Sequence, residues 1–257
     1  MDQYINAFAY AGSLLLAMLL LLEVGRRLGI RYAERTASTE ARFGNVEGAV
    51  FALFGLLLAF TFSGAGARFD TRRLQIASEA NAIGTAFLRL DLLASADQPA
   101  LRQQFRQYLT ARLEVYSKFP DLPAVKAALA RSEALQAEIW ITAVKATRAA
   151  DAHVDAGKLL LPALNEMIDI TTIRTMTARI HPPLIIYGLL YGFALGCALL
   201  AGYGMGGRAG RSWTHILGFV LATVVALYVI LDLEYPRQGM LRIDAYDQLL
   251  AELRDRM

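Results

Sequence analysis

The sequence predicts an all-α fold: four transmembrane helices, with an extramembrane helical bundle inserted between the second and third spans. Three observations predict it. Four windows, Tyr4 to Val24, Val46 to Phe62, Pro182 to Tyr203 and Thr214 to Leu233, are mostly apolar, and each approaches the about 20 helical residues needed to cross a bilayer core of about 30 Å. The segment between the second and third windows is rich in Ala, Leu, Arg and Glu and has no strand-like alternation. Hydrophobic residues make up 56% of the 257 and charged residues only 19%, which puts a membrane class ahead of a soluble one. The expected divisions are a first transmembrane pair at 1–64, an extramembrane four-helix bundle at 65–181, a second transmembrane pair at 182–233 and an amphipathic C-terminal tail at 234–257.

The same composition excludes several classes. Net charge is +3 with the basic residues dispersed, so there is no electrostatic footprint for nucleic acid. The single cysteine, Cys197, rules out an intrachain disulfide and a cysteine-based metal site. His153, His181 and His215 lack ligand spacing, so neither a metal nor a cofactor is expected. No nucleophile elbow, phosphate loop or metalloprotease helix occurs, and the chain is read as not an enzyme. The glycines Gly202, Gly204, Gly206, Gly207 and Gly210 join two spans and follow no strand. They are read as a flexible turn.

The first span has Asp2 before it, no small-x-small site after Leu22, and Arg26 and Arg27 following. That is a retained anchor rather than a cleaved leader. Short loops set orientation. Arg26, Arg27, Arg31, Arg35 and Arg42 lie between spans one and two, and Arg208 and Arg211 between three and four. Positive charge stays in the cytoplasm, so both loops are expected there, with the termini and the central domain outside. The tail's Arg237, Arg242, Arg254 and Arg256 pull mildly the other way.

In the central segment Phe69, Ile76, Ile83 and Leu90 recur every seven residues, with Ala80, Phe87 and Ala94 between them and a break at Arg73. No proline separates this seam from span two, so one long helix should run out to about Ser95. Asp97 followed by Pro99 signals the next start. The second helix carries Leu101, Phe105, Tyr108, Arg112 and Tyr116 on one stripe and should end at Phe119, before Pro120 and Pro123. A third should run from Pro123 to Ala150 and a fourth, with Pro162 in its first turns, toward His181-Pro182-Pro183. After Leu233 the chain turns at Pro236 and Gly239. A short amphipathic helix with Ile243, Tyr246, Leu249, Leu250 and Leu253 then lies on the membrane or against a neighbour.

Span two carries two stripes. Gly48, Ala52, Gly55, Ala59 and Ser63 form a small-residue stripe suited to close helix packing. Glu47, Phe51, Phe54, Leu58, Thr61 and Arg68 form another, with polar ends around an apolar middle. A hydrophobically gated pore would show that pattern, and so would ordinary interhelical packing with charges at the two interfaces. In the bundle Glu79, Asn81, Arg89 and Asp91 lie on the first helix, and Asn165, Glu166 and Asp169 on the fourth. They could face one another as a polar cluster, either with Arg89 paired to Glu166 or Asp169, or with Glu79, Glu166 and Asp169 gathered around a hard cation.

The run Glu79-Ala80-Asn81-Ala82-Ile83-Gly84-Thr85, followed by Leu88-Arg89-Leu90-Asp91-Leu92-Leu93, resembles the signature of the bacterial bestrophin-like domain proteins. Further matches are Gly55 through Phe62 with Arg68 and Asp70, Leu164-Asn165-Glu166-Met167-Ile168-Asp169, Pro182-Pro183, and Leu231-Asp232-Leu233 with Pro236 and Gly239. The resemblance covers nearly the whole chain. It implies an integral membrane protein distantly like the bestrophins, which are oligomeric anion channels with a pore-lining second helix and a large cytoplasmic domain. The leading expectation is therefore a homo-oligomeric, multi-pass ion channel of the bacterial inner membrane. Lipid, its own copies and inorganic ions would be its partners, and its central domain would be periplasmic. The alternative is a non-conducting sensor or scaffold whose bundle binds a partner or an ion.

Overall fold

The computed structural model describes residues 6–36, 44–118, 121–206, 213–237 and 239–257. The expectations placed on Asp2, Tyr4, Arg42, Phe119, Pro120, Gly207, Arg208, Gly210 and Arg211 lie outside the described residues. The helices are α1 (Ala7–Thr36), α2 (Gly44–Leu88), α3 (Gln98–Ser117), α4 (Leu122–Ala146), α5 (Ala156–Thr177), α6 (Leu184–Met205), α7 (Trp213–Glu234) and α8 (Asp244–Arg256). A 3-10 turn at Arg89–Leu92 follows α2, and no strand occurs among the described residues. Four helices, α1, α2, α6 and α7, are long and apolar enough to cross a membrane. The chain divides into two compact units, Met1–Phe69 with His181–Met240 and Asp70–Ile180 with Leu241–Met257.

The first unit holds α1, the N-terminal part of α2, α6 and α7 around Leu14, Met18, Leu22, Phe54, Leu190, Ala194, Val220 and Leu227. In lipid the hydrophobic effect does not drive helices together, so association depends on packing and close backbone approach. Glycine supplies that approach between α1 and α6. A Cβ added at Gly25 would sit 2.1 Å from the Leu199 carbonyl oxygen, and one at Gly29 2.3 Å from that of Tyr203. The contact is reciprocal: a Cβ at Gly202 would sit 2.0 Å from the Leu22 oxygen, and one at Gly206 2.5 Å from the Gly29 carbonyl carbon. Gly202 and Gly206 are therefore packing residues; the turn reading needs correcting for Gly202, which lies inside α6, while Gly206 sits in the turn that ends it. At the other end of the crossing Tyr10 donates to the Tyr187 carbonyl at 2.9 Å, and the Tyr191 hydroxyl to Ser13 Oγ at 3.3 Å. Phe51 of α2 meets Phe219 of α7 edge-on, with centroids 5.6 Å apart.

The second unit holds the C-terminal part of α2 with α3, α4, α5 and α8. The seam on α2 points inward as its heptad spacing predicts, with Ile76, Ile83 and Leu90 fully buried. So does the stripe on α3, where Leu101, Phe105, Tyr108 and Arg112 are fully buried. Pro99 lies in the first turn of α3, and Asp121 caps α4 by accepting from the Ala124 N–H at 3.2 Å. The last α-helical residues come earlier than the periodicity suggests: Leu88 rather than Ser95 and Ala146 rather than Ala150. At the first of these the chain tightens into the 3-10 turn, whose end Leu93 caps with an N–H to the Leu90 carbonyl. The C-terminal helix is part of this unit, with Leu250 fully buried and Leu253 against Gly84.

These glycines make a sharp stability prediction. Gly202→Ala forces backbone against backbone, so it should cost about 3 kcal/mol or more. Gly12→Ala, where nothing lies within 4 Å of the new Cβ, should be neutral. Thermal unfolding of the two variants in detergent measures the difference, and equal melting temperatures would remove the crossing as a constraint.

Candidate functional site

Span two presents its two stripes to different surroundings. Phe54 is only 5% exposed and belongs to the first unit's core, with Phe51 and Leu58 packed against the same cluster. The Thr61 hydroxyl is turned back to the Leu57 carbonyl at 2.8 Å. Glu47 lies beside α6, where a Cβ on Gly204 would be 3.4 Å from its Oε2. The stripe from Glu47 to Arg68 thus faces the chain's own helices. The small-residue stripe takes the open side: Gly48, Ala52, Gly55, Ala59 and Ser63 are all exposed, and no described atom lies within 4 Å of a Cβ built on Gly48 or Gly55.

Arg68 ends in an ion pair that its own helix gives no sign of. Its Nε donates to Glu234 Oε2 at 2.8 Å, and His181 Nδ1 lies 3.1 Å from the other oxygen. The His181 ring stacks on Tyr235, with centroids 4.6 Å apart. Glu234 is fully buried. Two residues earlier Asp232, 2% exposed, accepts the Met240 N–H through both oxygens at 3.0 and 3.1 Å. Gly239 must be glycine for this, since a Cβ there would fall 1.2 Å from Asp232 Oδ1.

In the second unit the expected polar residues divide between interior and surface. Glu79 is fully buried, and its Oε1 accepts from Arg112 Nε at 2.6 Å while Oε2 accepts from Arg174 Nη1. Arg174 also donates from Nη2 to Asp247 Oδ1 at 2.7 Å. Arg112 is fully exposed to nothing but protein: Nη2 donates to the Tyr116 hydroxyl, and the Tyr116 ring lies under both guanidinia, 5.2 Å from Arg112 and 3.9 Å from Arg174. Beside them the Tyr108 hydroxyl shares a 2.9 Å hydrogen bond with Thr171 and accepts from Gln136 at 3.0 Å. Burial alone would raise the Glu79 carboxyl, but the two guanidinia outweigh it and hold it below the usual carboxylate range. Burial likewise pushes the Tyr108 phenol up, so it stays neutral.

The other predicted members do not join this network. Asn81 and Asp91 are exposed, Asp91 pairing with Arg102. Arg89 donates to the Leu159 carbonyl at 2.6 Å rather than to Glu166 or Asp169. Asn165, Glu166 and Asp169 line an open groove of about 420 Å³ between α2 and α5 with Ser78 and Pro162, and Asn165 donates to Asp169 at 2.9 Å. The cation cage of Glu79, Glu166 and Asp169 is therefore not assembled, because Glu79 turns inward and the other two turn out. Among the described residues no group of three His, Cys, Asp or Glu side chains could hold a metal ion. Sequence reasoning missed Arg174 as a partner of Glu79, and Asp247 as the second partner of Arg174. Arg112 on an otherwise apolar stripe was the one available signal.

Comparison with known proteins follows the fold. The family described as Bestrophin-like domain matches residues 11–246. A solved structure, "Crystal structure of a membrane protein P143A", is similar with a TM-score of 0.65 at 12% identity, covering 98% of this chain and 99% of that one. No curated protein matches the sequence.

Removing Glu79's charge tests the buried network. Glu79→Gln leaves two buried cations short of a counter-charge, a loss of about 3–5 kcal/mol at pH 7. A carboxyl held low contributes fully at neutral pH and still contributes below about pH 4.3, where free glutamate protonates. Its contribution is lost only as pH falls through the folded value. Melting curves of wild type and variant should therefore stay apart from pH 7 to 4.5 and converge below. A gap that stays the same down through the acid range would mean an unperturbed carboxyl.

Proposed function

We propose, because the chain belongs to the Bestrophin-like domain family, that it is a channel-type, homo-oligomeric membrane protein in which α2 lines an axial path for inorganic ions. The observation that carries this reading is the open face of α2. From Gly48 to Ser63 one side of a membrane-length helix is exposed and carries the small-residue stripe with Leu53, Leu56 and Phe60 beside it, while the other side is occupied by Phe51, Phe54 and Leu58 against the same chain. In a ring of copies the open face turns to the axis or to the neighbouring copy, where small residues permit close approach. Phe54 and Leu58 then hold α2 from behind instead of lining the path. Exposed Leu56 and Phe60, beside Ala59 on one flank of the stripe, supply the apolar constriction of a hydrophobic gate. Glu47 and Arg68 mark the two ends.

The test is ion flux into liposomes carrying the purified protein. Ala59→Trp should lower flux at least tenfold, and Leu20→Trp, at an exposed position of α1 away from α2, should leave it unchanged. Equal flux in wild type and Ala59→Trp would take α2 out of the path. No flux from an assembled ring would favour the non-conducting sensor or scaffold.

We also infer that the second unit is periplasmic and the protein lies in the inner membrane, since Arg26, Arg27 and Arg31 crowd the C-terminal end of α1. Cysteine labelling of intact cells checks this against a buried native Cys197. A cysteine replacing Val154, which is 85% exposed, should react from outside, and one replacing Arg31 should not. The reverse pattern would invert the topology.

A further inference from the structure

The C-terminal helix α8 is held to the second unit by both apolar packing and polar contacts, with Ile243 at its start buried and Leu253 and Met257 packed on the unit's core. Leu250 is its one fully buried residue. A helix of 13 residues is marginal by itself in water, and segments with few buried apolar contacts are the first to open. Arginines on three other helices add to that hold. Arg73 of α2 donates to the Tyr246 hydroxyl at 3.1 Å, and Arg106 of α3 donates to the Met257 carbonyl. Arg174 of α5 donates to Asp247 at 2.7 Å.

Of these three, Arg174 alone is buried, at 5% exposure. Its charge is balanced only while α8 is seated. Arg112 and Arg174 contribute two positive charges, and Glu79 and Asp247 two negative ones. Without Asp247 the pocket keeps an excess cation over the Tyr116 ring. A further donor is already short of an acceptor there: Arg112 Nη1 is buried with no hydrogen-bond partner among the described residues. A buried guanidinium without a counter-charge is costly, so the seat requires an anion, whether or not the chain supplies it.

We propose that Arg174, backed by Arg112 and resting on Tyr116, is an oxyanion-binding site that Asp247 occupies as an exchangeable intramolecular ligand. The ligand class is a small carboxylate or phosphate from water, whose oxygens accept from a guanidinium as Asp247 does. Because both compete for Arg174 Nη2, binding of the anion releases α8. The concentration of the anion is thereby converted into the docked or undocked state of the C-terminal helix. This inference does not depend on whether the protein conducts.

Hydrogen exchange of the purified full chain in detergent tests it, with acetate and phosphate compared with chloride at equal ionic strength. Amides of α8 should exchange at least fivefold faster in saturating acetate or phosphate, with α3 and α5 unchanged. Equal α8 exchange in all three salts would overturn the proposal. The variant Asp247→Asn reverses the sign: α8 exchanges quickly in every salt, and acetate or phosphate now raises the melting temperature by filling the vacated site. If the anions raise the melting temperature of wild type and variant equally, the effect is bulk salt and the site is refuted. Should the variant fail to fold, the wild-type exchange experiment decides alone.

Discussion

The second unit depends on one carboxylate with no access to water. Glu79 stands on the long helix that emerges from the apolar stretch of α2, and its two oxygens are divided between Arg112 of α3 and Arg174 of α5. A buried charge is tolerable only when paired and hydrogen-bonded, so these three helices have one register in which both Glu79 oxygens meet a guanidinium. Replacing such a set by apolar residues is often neutral or stabilising. Its contribution here is therefore to register, with Arg174 extending the same constraint to α8 through Asp247.

The first unit meets a different constraint. Between apolar helices in lipid, affinity comes from how closely backbones approach. Gly25 and Gly29 on α1 answer Gly202 on α6 and Gly206 at its C-terminal end, and together they let the two backbones meet. The acidic end of α7 then organises the places where the chain leaves it. The unit's chain breaks follow Phe69, precede His181 and follow Met240. Glu234 holds Arg68 and His181, and Asp232 holds the Met240 N–H. Every exit thus lies within one residue of a group fixed by one turn of α7.

Length and periodicity were enough for the elements. Four apolar windows, a heptad seam on α2 and a proline-marked start to α3 correspond to described helices because each depends on local spacing alone. Partnership was not readable in the same way. Glu79 was visible as a polar residue, but its partners sit 33, 95 and, through Arg174, a further 73 positions along, and no local pattern relates them. Gly202 and Gly206 read as a turn because glycine signals turns and close packing alike. Only the opposing Gly25 and Gly29, 177 residues earlier in each case (202 minus 25, 206 minus 29), separate the two meanings.

Span two shows the same ambiguity at the level of function. Its apolar residues run around the whole helix, so two neighbouring stripes looked equally able to face a pore or a neighbour. The fold of a single chain removes one of them, since Phe51, Phe54 and Leu58 are already committed to its own core. Any copy of the chain, lipid or ion path that approaches α2 must then approach its open face, where Gly48, Ala52, Gly55, Ala59 and Ser63 lie beside exposed Val46, Leu53, Leu56, Phe60 and Phe62. The small stripe by itself gives a partner backbone contact and almost no shape to grip. The relative position of two copies on α2 must accordingly be set by residues outside that stripe. Leu56 and Phe60 beside it, exposed at 52% and 68%, are the side chains large enough to do so.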